Sequence, residues 1–119
     1  MELHIEDLKK LEDVKNEFSA RYPYLKLEFF YHSHPEGKGS PKSDMIVGDH
    51  TFGEIRTIHN EGDISIKSDM SVNFIEREFE NKYGIHAQIF RKSGDLWLET
   101  SATDSWTLKE QNETGALMG

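Results

Sequence analysis

Two histidines that stand two residues apart are the first candidates for chemistry in this sequence. His32 and His34 flank a serine in the stretch HSHP, which follows a predicted strand. In an extended segment, side chains two residues apart point to the same side, so both imidazoles could share one zinc ion. Further ligands could come from Asp44, Asp49 or His50. One hypothesis is therefore a small metal-binding protein or hydrolase centred on the His32-Ser33-His34 loop.

The same stretch is similar to the zinc motif of the JAMM metalloprotease family, in which a strand ends in His-Ser-His-Pro. That family requires a serine and an aspartate at the positions that Lys42 and Met45 occupy here, while Ser43 and Asp44 are adjacent. Its catalytic glutamate lies on a strand well upstream, whereas most of the residues before His32 are predicted to be helical. The resemblance thus implies a histidine pair without the rest of the catalytic set, and a polar loop is the favoured interpretation.

The other polar patterns predict no catalytic site. Gly37-Lys38-Gly39-Ser40 lacks the spacing of a phosphate-binding loop, and no HExxH pattern occurs. Glu76 and Glu80 stand four residues apart on a predicted helix, and paired carboxyls perform acid–base chemistry when burial raises one pKa. Their positions beside Ile75 and Phe79 favour a solvated face. The sequence therefore favours a protein that is not an enzyme and has no cofactor.

Composition bounds the class of protein. The 119 residues include 14 basic and 22 acidic side chains, giving a formal net charge of −8, and no cysteine. Residues 1–119 are predicted to form one domain with a core large enough to fold unaided. Without cysteine there are no disulfides or thiolate metal sites, which favours the cytoplasm. Neither a secretion leader nor a membrane span is expected, because charges interrupt every apolar run.

The acidic balance disfavours a general role in binding nucleic acid, because the chain repels phosphate backbones. A local basic patch formed by Lys38, Lys42, Arg91 and Lys92 remains an alternative. Anion or nucleic-acid binding through that patch would weaken steeply as salt is added.

Hydrophobic periodicity predicts two long helices. One spans about 5–21 and ends before Pro23, and the other spans 72–83, with Ser71 as N-cap and Gly84 just after its end. Short helices are predicted after Thr51 and Thr107, each of which begins a capping box. Residues 32–44 are predicted to be a mobile loop and residues 113–119 a frayed tail.

Alternating apolar residues predict strands over 24–31, 63–67, 85–91 and 95–100, the last two joined in a hairpin at Ser93-Gly94. The order αββαββ(α) predicts an α+β fold, a permuted ferredoxin-like arrangement of four mainly antiparallel strands with two helices on one face. Residues 62–91 would form a βαβ unit with parallel strands. The order helix, strand, strand recurs, but no sequence repeat is evident.

The sheet face without helices carries the leading functional hypothesis. Phe90 and Trp97 of the hairpin, with Phe30, are predicted to point to this face. Either the C-terminal segment covers these rings with Trp106 and Leu108, or the rings form a platform for a partner. The second interpretation predicts a cytosolic interaction module, a homodimer in which Phe30, Phe90 and Trp97 are contact residues.

Two segments, NEGDISI over 60–66 and IFRKSGDLWLETSATDSWTLKEQN over 89–112, resemble a family of small, uncharacterised bacterial proteins of the Bacteroidetes type. The likeness covers most of the chain from about residue 20. It carries no catalytic motif, so it implies a standalone bacterial cytosolic protein and transfers no functional residue.

Overall fold

The computed structural model of the chain describes residues 1–33 and 38–118. These residues form five strands and four α-helices, in the order β1 (Glu2–Ile5), α1 (Leu11–Arg21), β2 (Leu25–Phe30), α2 (Phe52–Ile55), β3 (Gly62–Ser65), α3 (Val72–Tyr83), β4 (His86–Ser93), β5 (Leu96–Glu99) and α4 (Leu108–Met118). The predicted α+β class is confirmed. None of the helices in these ranges combines the length and the apolar character needed to cross a bilayer.

The strands form two antiparallel sheets, so the prediction of one four-stranded sheet with two helices is wrong. β1 pairs with β3, while β2, β4 and β5 form a second sheet in the order β2-β4-β5. The predicted parallel pairing within residues 62–91 is also wrong, because β3 and β4 belong to different sheets.

The first predicted helix, about 5–21, starts too early, because its first residue, Ile5, is the last residue of strand β1. Leu3 and Ile5 are buried while Glu2 and His4 are exposed, and this alternation pairs β1 with β3. Ile5 and Leu8 fit the apolar spacing of a helix, but Leu8 is 84% exposed. The helix begins only at Leu11, because the stripe from Leu11 onward is the part that packs in the core.

The chain contains two copies of one strand–turn–helix–strand unit, β1-α1-β2 and β3-α3-β4, which the sequence analysis missed. A shift of 61 positions places Leu3, Leu11, Val14, Phe18 and Tyr22 on Ile64, Val72, Ile75, Phe79 and Tyr83, and all ten side chains are buried. β1 pairs with its counterpart β3 and β2 with its counterpart β4, as a two-fold axis between the units would require.

Backbone hydrogen bonds around the two long helices repeat in the same way. In the first unit, Leu11 N donates to His50 O and Phe52 N donates to Lys9 O. In the second, Val72 N donates to Trp106 O and Leu108 N donates to Met70 O. Each of α1 and α3 is thus held at its start by backbone bonds to the beginning of a downstream helix, α2 or α4. Phe29 joins the units, since its ring contacts those of Phe52 and Phe79 at 5.5 and 5.4 Å between centroids.

Several local predictions are confirmed. Ser71 Oγ accepts a hydrogen bond from Phe74 N at the start of α3, and Gly84 ends the helix with φ of 64°. Both capping boxes form, at Thr51 with Glu54 and at Thr107 with Glu110. β4 and β5 form the predicted hairpin. α4 extends into the tail as far as Met118, whose carbonyl accepts a hydrogen bond from Gly94 N, and fraying of this end stays a prediction.

Residues 38–46 close the sheet face that carries Phe30 and Phe90. Tyr31 N donates to Asp44 O and Ile46 N donates to Phe29 O along the free edge of β2. Gly39 lies against the carboxylate of Glu99 on β5. The segment therefore crosses the face from β5 to β2, and its own Ser40 is buried.

Candidate functional site

Two of the three predicted contact residues are buried. Phe30 is 1% exposed and Phe90 7% exposed, whereas Trp97 is partly accessible. The C-terminal segment does not cover them, so that interpretation is wrong: Leu108 lies in the main core, and Trp106 stands over Arg91 on the other side of β4. Contact between a partner and Phe30 or Phe90 stays a prediction, and it requires displacement of residues 38–46.

Trp97 lies in a cleft with charges of both signs. Its ring centroid is 5.2 Å from Lys26 Nζ and 5.3 Å from Lys92 Nζ, within cation–π range. Lys42 lines the same cleft, together with Asp95 and Glu99. The predicted basic patch is therefore divided: Lys42 and Lys92 gather here, opposed by carboxylates, while Arg91 faces α4 and donates to Gln111.

Two of the predicted metal ligands come together. His32 Nδ1 lies 2.7 Å from Asp44 Oδ1, and His32 N donates to Asp44 Oδ2. The hydrogen bond with His32 lowers the pKa of Asp44 below its usual value. His34 lies outside the described residues. Asp49 contacts Lys10 and His50 contacts Glu54, so neither reaches this pair, and a metal site here stays a prediction that metal analysis of untagged protein tests.

Among the described residues, one group has metal-ligand spacing, His4, Glu6 and Glu61. His4 Nε2 lies 3.1 Å from Glu6 Oε2, and His4 Nδ1 lies 2.9 Å from Asp63 Oδ1. Both imidazole nitrogens are thus engaged with carboxylates at the surface. These contacts account for the group without an ion.

Exposed apolar side chains from β5, from the segment before α4 and from α4 itself form a surface that sequence reasoning missed. This β5 surface consists of Leu96, Leu98, Trp106, Leu117 and Met118, of which Leu96 is 67% and Leu117 88% exposed. Leu96 and Leu98 stand opposite Ser93 and Arg91 on β4. The Arg91 guanidinium lies 5.7 Å from the Trp106 ring centroid, and the Gly94–Met118 hydrogen bond brings the end of α4 to the hairpin.

Leu96 and Leu98 alternate with Trp97 along β5 and so lie on the side of the sheet that carries the helices, but both are exposed. α1 packs on β2 and α3 packs on β4, so β5 is left beyond their reach. The signal available in the sequence was the pair of alternating leucines directly after a hairpin turn, but alternation alone does not tell which face is covered.

β5 is also the open edge of its sheet. It hydrogen-bonds to β4 on one side, and no other segment of residues 1–33 or 38–118 pairs with its outer side. Comparison of the chain with protein-family models, curated proteins and solved structures gives no match. Its surfaces are therefore the guide to its function, and an open edge beside apolar side chains is the arrangement that pairs with another chain.

Proposed function

We propose that this protein is a non-catalytic interaction module that forms a homodimer through β5. The observation that carries the proposal is the open outer edge of β5 beside the exposed side chains of the β5 surface. Natural edge strands are usually shielded by lysine, proline or a covering segment, and contiguous exposed apolar side chains mark interfaces. Strand addition would satisfy the free backbone groups and bury the leucines in one step.

A second copy of the chain can pair with this edge in more than one register, and one register avoids the charge repulsion of the next. A two-fold axis perpendicular to the sheet at Leu98 sets Leu98 opposite itself and Trp97 opposite Glu99, so no like charges face each other. An axis at Trp97 instead sets Asp95 opposite Glu99, which is repulsive. The register at Leu98 therefore supports self-pairing.

Charge predicts how salt affects this dimer. Each chain carries a formal charge of −8, and the β5 surface itself carries no acidic group. Added salt screens the repulsion between copies and leaves the apolar contact intact, so association is expected to strengthen with salt. We also propose a cytoplasmic location and a relation to the bacterial family named above. The formation of the dimer depends on neither.

Leu98→Lys is expected to convert the dimer to a monomer. In the proposed register it places two ammonium groups opposite each other on the two-fold axis and removes a central apolar contact. Sedimentation equilibrium of the wild type and the variant measures the change. Leu8→Lys is the matched control, because Leu8 is exposed elsewhere on the chain, and it is expected to remain dimeric. A wild-type chain that sediments as a monomer at every soluble concentration contradicts the proposal.

Trp97→Ala is expected to weaken association by about 2 kcal/mol, since a large aromatic side chain at the centre of an interface contributes this much. Trp97 is the predicted contact residue that reaches the β5 edge, and it is held in place by Lys26 and Lys92. The same sedimentation experiment gives the dissociation constant. An unchanged constant removes Trp97 from the interface.

A further inference from the structure

The cleft beside Trp97 lies between the hairpin and the segment 38–46 that crosses the sheet face, and its volume is about 400 Å³. Phe90 and Trp97 of the hairpin and Met45 of that segment give the cleft an apolar lining. A concave apolar space with a few charged groups at its sides is the usual form of a small-molecule site. Because a single chain forms this cleft, binding of a ligand here does not require the proposed dimer.

Charged side chains of opposite sign line opposite sides of the cleft. Lys26 belongs to β2, and Lys42 comes shortly before the residues that bond along the free edge of β2. Asp95 belongs to the hairpin turn and Glu99 to β5. β4 lies between β2 and β5, so the backbones of the two sides are about 10 Å apart. The cleft is therefore positive toward β2 and negative toward β5.

Three of these charged side chains have no counter-ion. Within residues 1–33 and 38–118, no ion pair includes Lys42, Asp95 or Glu99. Elsewhere on the surface neighbouring charges pair closely, as Lys9 does with Glu17 at 3.0 Å between Nζ and Oε2. In the cleft the two signs instead face each other across the apolar lining without contact. Both an acceptor pair and a donor are thus available to a ligand.

Two further lysines are already engaged, and they determine which way a ligand lies. Lys26 Nζ is 3.7 Å from Glu28 Oε2, and Lys26 and Lys92 both contact the Trp97 ring, with Nζ at 5.2 and 5.3 Å from its centroid. Because ammonium groups of the protein occupy the ring, they repel another cation from it. A cationic group of a ligand is therefore directed to the carboxylates on the β5 side.

We propose that this cleft binds a small linear zwitterion, a molecule with an ammonium and a carboxylate at opposite ends of an apolar chain. The ammonium pairs with Asp95 and Glu99, the carboxylate pairs with Lys42, and the chain between them lies against Phe90 and Trp97. A ligand with one charge leaves the other side of the cleft unpaired. A ligand with both charges on one carbon is too short to reach both sides.

Nuclear magnetic resonance with 6-aminohexanoate as the probe tests this inference. Saturable shifts are expected at the indole N–H of Trp97 and at the amides of Met45 and Phe90. None is expected at the indole N–H of Trp106, which lies on the other side of the sheet. Hexanoate and hexylammonium, which each carry one of the two charges, and glycine, whose charges are too close together, are expected to bind at least about fivefold more weakly. Added salt is expected to weaken binding of the zwitterion by screening both charge contacts.

A lysine at the carboxyl end of a peptide carries the same two charges as a free ω-amino acid. Nα-acetyl-lysine distinguishes these two sources, because its amide takes the place of the preceding peptide bond. Binding as tight as that of 6-aminohexanoate assigns the cleft to peptide ends, and weaker binding assigns it to the free ω-amino acid.

Lys42→Gln and Asp95→Asn each remove one of the two charges and leave the apolar lining intact, so each is expected to weaken binding of 6-aminohexanoate about fivefold. Lys42→Gln is expected to leave the binding of hexylammonium unchanged, and Asp95→Asn that of hexanoate. Lys109→Gln, which removes an exposed lysine of α4, is the matched control and is expected to bind as the wild type does.

The inference is overturned if 6-aminohexanoate gives no saturable shift at Trp97 in the wild type, or if hexanoate or hexylammonium binds as tightly as the zwitterion does. Equal affinity of the wild type, Lys42→Gln and Asp95→Asn for the zwitterion overturns it as well. The comparison of probes on the wild type decides alone if a variant does not fold.

Discussion

Glu76→Gln is expected to stabilise the protein at alkaline pH, by at most about 5 kcal/mol, with the gain shrinking to nothing near pH 4. The pKa of this carboxyl is 4.5 in an ordinary setting and about 8 in the fold, because burial disfavours its charged form. Between those values folding takes up a proton, so the stability of the wild type falls as pH rises through this window. Glutamine stays neutral throughout, so the stability of the variant does not fall with pH at this position.

Urea unfolding at a series of pH values from about 4 to 9 measures this difference. The two stability profiles are expected to diverge from about pH 4.5 and to run parallel above about pH 8. Glu113→Gln serves as the control, because it removes a carboxylate from the exposed side of α4. Profiles of wild type and Glu76→Gln that remain parallel across the whole range mean that Glu76 ionises normally in the folded protein.

The burial of Glu76 could not be predicted from the sequence. The spacing from Ile75 and Phe79 places it next to the apolar stripe of α3, and a charged residue there is usually solvated. It is buried because Asn73 N donates to Asp104 O, which brings the segment before α4 against this side of the helix. The burial thus depends on contact between residues about 30 positions apart, and periodicity within one helix does not report it.

Elements with signals in their own residues were predictable. α3 has an N-cap at Ser71 and a left-handed Gly84 after its end, and both act within one turn of the helix. The β4–β5 hairpin has a glycine with φ of 60° at its turn, Gly94. The division into two sheets was not predictable, because β1 pairs with a strand about 60 positions away and its last residue, Ile5, also fits the helical spacing of the residues that follow.

The covering of the sheet face at Phe30 and Phe90 was also unpredictable, because it depends on contacts between distant residues. Residues 38–46 include few apolar side chains, so their composition predicted a solvated loop. Their backbone nevertheless bonds along β2, and Gly39 permits close approach to Glu99, where a Cβ atom would collide with the carboxylate. Phe30 and Phe90 are therefore covered by a segment that contributes backbone and small side chains, which no hydrophobic pattern reveals.

The repeat predicts that Phe18→Ala and Phe79→Ala have nearly equal effects, each lowering the free energy of unfolding by about 3–5 kcal/mol. Both rings are fully buried at corresponding positions of α1 and α3, and each has one aromatic neighbour at 5.4 Å, Tyr22 or Phe29. Truncation removes the apolar contact and leaves a cavity that the packed sheets cannot close. Urea unfolding measures both changes.

Phe74→Ala is the control for this comparison, because Phe74 lies on the exposed side of α3 and its loss is expected to cost less than about 1 kcal/mol. If an alanine variant does not fold, the leucine variants at positions 18 and 79 allow the same comparison with a smaller cavity. A large loss at one of the two positions and a small loss at the other contradicts the repeat as a description of the core. Equal losses mean that two similar half-cores, joined through Phe29, support the fold together.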